Sequence, residues 1–247
     1  MAFKTVFKRY ELKYMLTLDQ KKRILTAMEP YMKLDNYGKT TIRNLYFDTD
    51  TYLLIRRSIE KPSYKEKLRI RSYSKALPDS IVFVELKKKY KHVVYKRRIS
   101  LPDKEATKWL SGEKHPDNYT QIANEIDYFL KFYGTLHPTV FLSYDREAYY
   151  SNDDTDFRIT FDYNILCRQE DLSLQSEAYG TPILPEGKVL MEIKCSGGIP
   201  LWITKVLSEE KIYKTSFSKY ATAYRTLIFP QTHTMNKYNM SEVTKNA

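Results

Sequence analysis

The stretch Tyr64-Lys65-Glu66-Lys67-Leu68-Arg69-Ile70-Arg71-Ser72 decides the fold. Side chains of a strand alternate between its two faces. Lys65, Lys67, Arg69 and Arg71 therefore share one face, and Leu68 and Ile70 share the other with Tyr64, Glu66 and Ser72. The pattern recurs along the chain. Arg9, Glu11 and Lys13 lie opposite Tyr10, Leu12 and Tyr14. Glu85 and Lys87 lie opposite Val84 and Leu86, and Lys96 and Arg98 line up together. Arg158 and Asp162 oppose Phe157, Ile159 and Phe161, and Glu192 and Lys194 oppose Met191 and Ile193. A single strand of this kind reads as one wet face of an antiparallel sheet. Six together, with cations in excess, read as strands closed into a barrel with the charged faces inside and helices packed on the apolar outside. A dry interior lined by Lys and Arg would be prohibitively unfavourable. It must hold water and a highly charged anion, for which Arg forks and Lys point charges suit phosphate oxygens. The few interior carboxylates suit a divalent metal bridging such phosphates. Arg146 shares parity with Val140, Leu142 and Tyr144, so alternation alone does not place it inward.

Working outward, the pattern predicts strands at 7–14, 40–48, 64–74, 81–90, 92–101, 138–150, 157–163 and 189–196. The strands at 81–90 and 92–101 form a hairpin. Helices are expected at 17–32, opened by a capping box from Thr17 to Gln20, and at 103–110, 119–134, 199–210 and 217–229, with a short helix or turn at 50–57. Strands follow one another without regular helical crossovers, which predicts an α+β fold built on an antiparallel barrel. One domain is expected over residues 1–230, followed by a polar tail at 231–247.

The 247 residues are 42% hydrophobic and 29% charged, ordinary for a folded globular chain. Lys and Arg total 41 against 30 Asp and Glu, a net charge of +11 that implies polyanionic partners. There is no run of 18 apolar residues, so no membrane helix is expected. The stretch Met1–Tyr14 is charged and lacks an apolar signal core. Cys167 and Cys195 read as buried small hydrophobes in a reducing compartment. Residence is expected in the cytoplasm, or peripherally at the inner face of the membrane. The 7 glycines form neither a G-x-x-x-x-G-K-[ST] nor a G-x-G-x-x-G loop, and H-E-x-x-H and G-x-S-x-G are absent.

The motifs Phe7–Tyr14, Leu45–Thr49, Lys67–Tyr73, Val84–Lys87, Tyr144–Arg146, Arg158–Asp162, Met191–Lys194 and Phe217–Tyr220 occur in this order. Through them the sequence resembles the VTC domain, the polyphosphate polymerase domain of the triphosphate tunnel metalloenzyme superfamily. The resemblance implies an antiparallel tunnel that binds triphosphate and makes polyphosphate from ATP with Mn²⁺ or Mg²⁺. Lys13, Arg69, Arg71, Lys87, Arg146 and Arg158 match the phosphate-binding basic residues, and Glu192 the metal-binding glutamate. Lys219 matches a lysine at the tunnel mouth, Arg57 or its neighbour Arg56 a further arginine, and Lys96 or Arg98 a basic residue of the hairpin's second strand. Lys67 and Lys194 join them as substrate-binding candidates by sharing these faces. Ser216 departs from the family, which carries a lysine there.

Phosphoryl transfer is chiefly a matter of positioning and charge stabilisation. The metal would sit on Glu192, aided by Glu11 or Glu85. For a polymerase the nucleophile is an already anionic chain terminus, whereas hydrolysis needs a carboxylate to activate water, with Glu11 and Glu85 as candidates. Both also read as partners of neighbouring cations. Asp48 and Asp50 read as turn residues rather than a metal pair. Lys219 opposes the dipole of its own helix, which favours an anion bound there over a solvated lysine. Tyr46, Tyr73, Tyr144 and Tyr163 read as packing residues or as phosphate contacts, and Trp109 and Trp202 as packing. The leading reading is an ATP-dependent polyphosphate polymerase. A tripolyphosphatase or nucleoside triphosphatase and a non-catalytic polyphosphate-binding protein are the alternatives. Nucleic acid is not expected as a partner, because the cations alternate on strands rather than clustering on one helix. Translocating the product would require a membrane-protein partner.

Overall fold

A computed structural model describes residues 10–91, 93–117, 120–154 and 156–230. Its strands are β1 (Tyr10–Thr17), β2 (Met32–Leu34), β3 (Thr40–Asp48), β4 (Tyr64–Ser72), β5 (Ile81–Tyr90), β6 (Val93–Pro102), β7 (His137–Ser151), β8 (Arg158–Arg168), β9 (Thr181–Pro182) and β10 (Lys188–Cys195). Its helices are α1 (Leu18–Met28), α2 (Leu53–Ile59), α3 (Asp103–Leu110), α4 (Gln121–Tyr133), α5 (Leu201–Glu209) and α6 (Lys219–Ala223), the last running into a π-helical turn over Tyr224–Ile228. Residues 7–9 of the expected first strand, Arg9 among them, and the expected tail 231–247 lie outside the described residues.

The ten strands form one antiparallel sheet in the order β1-β10-β8-β7-β3-β4-β5-β6, with β2 added to β7 and β9 to β8. The α+β architecture is the one the alternation predicts. Its ends β1 and β6 are not paired with each other among the described residues, so no continuous ladder closes the barrel. The sheet curls instead, and the Lys87 Nζ of β5 reaches Glu11 Oε2 of β1 at 3.1 Å across the hollow. Directly opposed residues of an antiparallel pair share a face, so the register carries one charged, concave surface from strand to strand.

On the convex side, Leu68, Ile70, Val84 and Leu86 are buried against Trp109 and Leu110 of α3 and Ile126 and Phe129 of α4. Ile159, Phe161, Met191 and Ile193 are buried against Ile24 and Met28 of α1 and Ile203 and Val206 of α5. Each such side chain contributes roughly 1.5–3 kcal/mol by leaving water. The helices are not all outside, however. Ile55 of α2 and Tyr220, Ala223 and Ile228 of α6 and its π turn pack on Ile42, Val140, Leu142, Ile165, Cys167 and Leu190. These strand residues extend the concave face, so α2 and α6 fill one part of the hollow. Both cysteines are free and buried.

Three local features explain departures from simple alternation. The capping box forms as expected, Thr17 Oγ1 accepting from Gln20 N at 3.1 Å and Gln20 Oε1 from Thr17 N at 3.0 Å. The helix stops at Met28 rather than 32, because Pro30 lies in the turn that follows and Met32–Leu34 pairs with β7. In β8 the register slips opposite Ser143 and Asp145, and Asn164 adopts φ 50°. That bulge reverses parity within one strand: Thr160 and Asp162 before it and Ile165 and Cys167 after it face the same hollow.

Candidate active site in a basic channel

The concave face has two walls. On β4-β5-β6, Lys67, Lys87 and Lys96 stand directly opposite one another, and Arg69, Glu85 and Arg98 form the next inward-facing row. Arg69 donates to Glu85 Oε2 from Nε (2.9 Å) and Nη2 (2.7 Å), and from Nη1 to the Tyr46 hydroxyl (2.9 Å). Lys96 Nζ lies 2.6 Å from Glu85 Oε1, and Arg98 Nε donates to the same oxygen at 2.8 Å. Arg71 donates to Asn44 Oδ1 (2.9 Å) and the Tyr144 hydroxyl (3.2 Å). Burial would raise the Glu85 carboxyl, but Arg69, Arg71 and Lys96 hold it well below the usual carboxylate range.

On β1-β10-β8-β7, Glu11, Lys194 and Arg158 form one row and Lys13, Glu192 and Thr160 the next. Arg146 grips the fully buried Asp162 with both prongs, at 2.6 and 2.7 Å, which settles its inward placement. Its strand carries apolar concave residues, Val140 and Leu142, because α6 lies over them. Lys219, at the start of α6, reaches Asp162 Oδ2 at 2.5 Å and Glu192 Oε1 at 3.4 Å. Lys13 Nζ is 3.3 Å from Glu192 Oε1 and donates to the Phe217 carbonyl at 2.7 Å. Burial works against ionised Glu192, yet Lys219, Lys13, Lys194 and Arg146 keep it well below its ordinary value. Glu11, likewise opposed by burial, is brought to about 2 by Lys87 and Lys194.

Lys67, Lys194 and Arg158 are differently placed. Among the described residues Lys67 donates to Ser218 Oγ alone, at 3.2 Å, and pairs with no carboxylate. Burial, followed by the charges of Lys87, Lys65, Lys13 and Arg69, pushes it down to about 7. Burial brings Lys194 to about 7 as well, despite the opposing pull of Glu192. Arg158 Nε and Thr160 Oγ1 are buried without a hydrogen-bond partner among the described residues.

The channel thus gathers Glu11, Lys13, Lys67, Arg69, Arg71, Lys87, Lys96, Arg98, Arg146, Arg158, Glu192, Lys194 and Lys219. Arg57 is the exception. It lies at the exposed end of α2 and acts on Tyr133, whose hydroxyl donates to Glu66 on the opposite face of β4. Asp48 is a turn residue with a larger task, accepting from Leu54 N, Ile55 N and the Tyr220 hydroxyl to anchor α2 and α6. Tyr163 turns away and donates to Glu147. Sequence reading missed the inward hydroxyls of Tyr46 and Tyr144 as arginine partners and the central place of Asp162. The parity of Asp162 with Arg158 was its only signal.

The described residues hold no cluster of three or more His, Cys, Asp or Glu able to cage a metal ion. Glu192 and Glu11 lie on adjacent strands, and both carboxylates are engaged by lysines, Glu192 by Lys13 and Lys219 and Glu11 by Lys87. No helix among the described residues is long and apolar enough to cross a membrane.

The VTC domain profile matches residues 8–228. The chain belongs to the VTC-domain family. A candidate adenylate cyclase from Bacillus halodurans shares the fold of this VTC domain at a TM-score of 0.52 and 16% identity, covering 86% of this chain and 94% of that one. A candidate adenylyl cyclase from Hippeastrum, described as having a dominant triphosphatase activity, aligns at a TM-score of 0.53 and 16% identity over 87% of this chain and 95% of its own. At such identity the likeness is one of fold. No curated protein matches the sequence.

Proposed function

We propose that this VTC domain is a metal-dependent polyphosphate polymerase. The bond between the β,γ-bridging oxygen and the γ-phosphorus of ATP breaks, the terminal oxygen of a polyphosphate chain bonds to that phosphorus, and ADP leaves. The observation that carries this reading is the cationic surplus of the channel, above all the half-buried Lys67 and Arg158, which form no ion pair with a carboxylate among the described residues, and Lys194, whose charge the pull of Glu192 and Glu11 does not fully offset. A polyanion supplies the missing charge. Arg69, Arg71, Arg146 and Lys219 are held by hydrogen bonds before any ligand arrives, which suits transition-state stabilisation without reorganisation. Mn²⁺ or Mg²⁺, held by Glu192 with Glu11, would neutralise charge on bridged phosphate oxygens. ATP as donor favours a cytoplasmic setting, and export of the chain would fall to a separate membrane protein.

Hydrolysis by the same channel is the competing reading, and the carboxylates speak against it. Glu11, Glu85, Asp162 and Glu192 are all displaced below their ordinary values and make poor general bases near neutral pH. A chain-terminal phosphate needs no such base. The test is to incubate the protein with ATP and Mn²⁺, with and without pyrophosphate, and resolve the products on a polyphosphate gel beside Glu192→Ala. A ladder that vanishes in the variant is expected. Free phosphate without chains would overturn the proposal in favour of a triphosphatase, and binding without turnover in favour of a non-catalytic polyphosphate-binding protein.

A further inference from the structure

The lysine rows do not stop at the channel residues described above. Opposite one another on β4 and β5, two positions beyond the Lys67–Lys87–Lys96 row, stand Lys65 and Lys89. Their parity puts them on the same concave face. Like charges directly opposed on a sheet are destabilising, yet two successive rows keep them. Among the described residues no carboxylate lies within ion-pair distance of Lys65, whose ammonium donates to the Ser58 carbonyl at 3.2 Å. The exposed Lys61 and the channel's Lys87 both lie close enough to act on it, as does Lys89. The only carboxylate on the intervening residues of these strands, Glu66, points to the opposite face, where Tyr64 and Tyr133 donate to it. The rows are about 7 Å apart, so a basic path leads from Lys67 and Lys87 through Lys65 and Lys89 towards the exposed Lys61.

We propose that Lys65 and Lys89 form a chain-binding track outside the triphosphate site, which engages polyphosphate only once it is longer than the channel residues can hold. The inference rests on the polyanion reading of the channel and adds a ligand requirement to it: affinity depends on chain length. A short anion such as tripolyphosphate satisfies the channel and leaves the track empty. A long chain occupies both, and its extra phosphates replace the carboxylates these lysines lack.

The experiment compares the affinity of the protein for tripolyphosphate and for long-chain polyphosphate, with Lys65→Ala/Lys89→Ala beside the wild type. The double variant should bind the long chain roughly 25-fold more weakly, two lysines each worth about a factor of five near an anionic surface. Its tripolyphosphate affinity should not change, and Lys65→Arg/Lys89→Arg should restore long-chain binding. Equal losses for both ligands would place the pair inside the triphosphate site and overturn the track, as would no loss for either. The melting temperature without ligand identifies a variant that has simply failed to fold, in which case the single substitutions carry the comparison. Because binding is read without turnover, length-selective binding in a protein that makes no polymer would reject the polymerase and keep the track. Polymer synthesis by a protein without length selectivity would do the reverse.

Discussion

On the β7-β8-β10 wall, Arg146, Lys219 and Lys13 close on Asp162 and Glu192 in a continuous network. On the β4-β5-β6 wall, one carboxylate, Glu85, serves Arg69, Lys96 and Arg98, while Lys67 has none and faces Lys87. The first network is finished within the protein, although Arg158 on the same wall keeps its Nε without a hydrogen-bond partner among the described residues. A buried ion pair of this kind adds little net stability, but breaking it strands a charge. The second is unfinished, and Lys67 there carries positive charge that no carboxylate among the described residues compensates. The Asp162–Glu192 network fixes geometry, whereas cations such as Lys67 leave positive charge uncompensated, so substitutions of the two kinds should change stability in opposite directions.

The largest effect is expected from Asp162→Asn, which deprives both Arg146 and Lys219 of their closest partner. It should lower the unfolding free energy by about 3–5 kcal/mol, read as a fall in urea midpoint. A loss under about 1 kcal/mol would mean the network is not the rigid wall described. Lys67→Met should do the reverse, stabilising the free protein by about 0.5–1 kcal/mol through relief of like-charge opposition. It should also weaken tripolyphosphate binding roughly tenfold, as removal of one buried charge partner implies. Thermal melts with and without ligand give both numbers, and a destabilised free protein would erase the contrast between the walls.

The pH dependence sharpens the same point. Lys67 titrates at about 7 in the folded protein against an ordinary lysine value of 10.5. Between these values the unfolded chain binds more protons than the folded one, so the Lys67 contribution to stability improves as pH rises through this window and worsens as it falls. Ligand binding works the other way, since a phosphate favours the charged amine. Affinity should fall as pH rises above about 7, with proton uptake on binding visible by calorimetry in buffers of different ionisation enthalpy. Lys67→Gln should remove the Lys67 share of that uptake and leave the share of Lys194, which sits at about 7 as well. The smallest effect is expected for Arg57→Ala, which should leave tripolyphosphate affinity unchanged and stability within about 0.5 kcal/mol. A clear loss of affinity would return Arg57 to the channel.

Much of this was legible because strand alternation is a local rule. Lys67, Arg69 and Arg71 at every second position, with Leu68 and Ile70 between them, place a charged face without knowledge of any neighbour. The family motifs then named most of the channel. Arg57 lies apart from the channel, exposed at the end of α2 and acting on Tyr133, because the docking of a short helix depends on tertiary contacts that residue type does not show. Tyr46 and Tyr144 were indistinct because a tyrosine ring packs while its hydroxyl bonds, and only the cross-strand position of Arg69 and Arg71 reveals both. Asp162 stood out little beside Arg158, since two residues of one strand never show which side chain an adjacent strand will set against them.

By itself the sequence determined the strands, their two faces and the cationic excess, all consequences of residue type and a period of two. Tertiary structure alone decided which charge meets which. The Asn164 bulge turns Ile165 and Cys167 into the hollow, α6 packs over the apolar end of β7, and the register between β7 and β8 brings Arg146 to Asp162. The physical reason is that alternation sets the face of a side chain, whereas its partners depend on turns, bulges and helix docking distributed over the whole sheet.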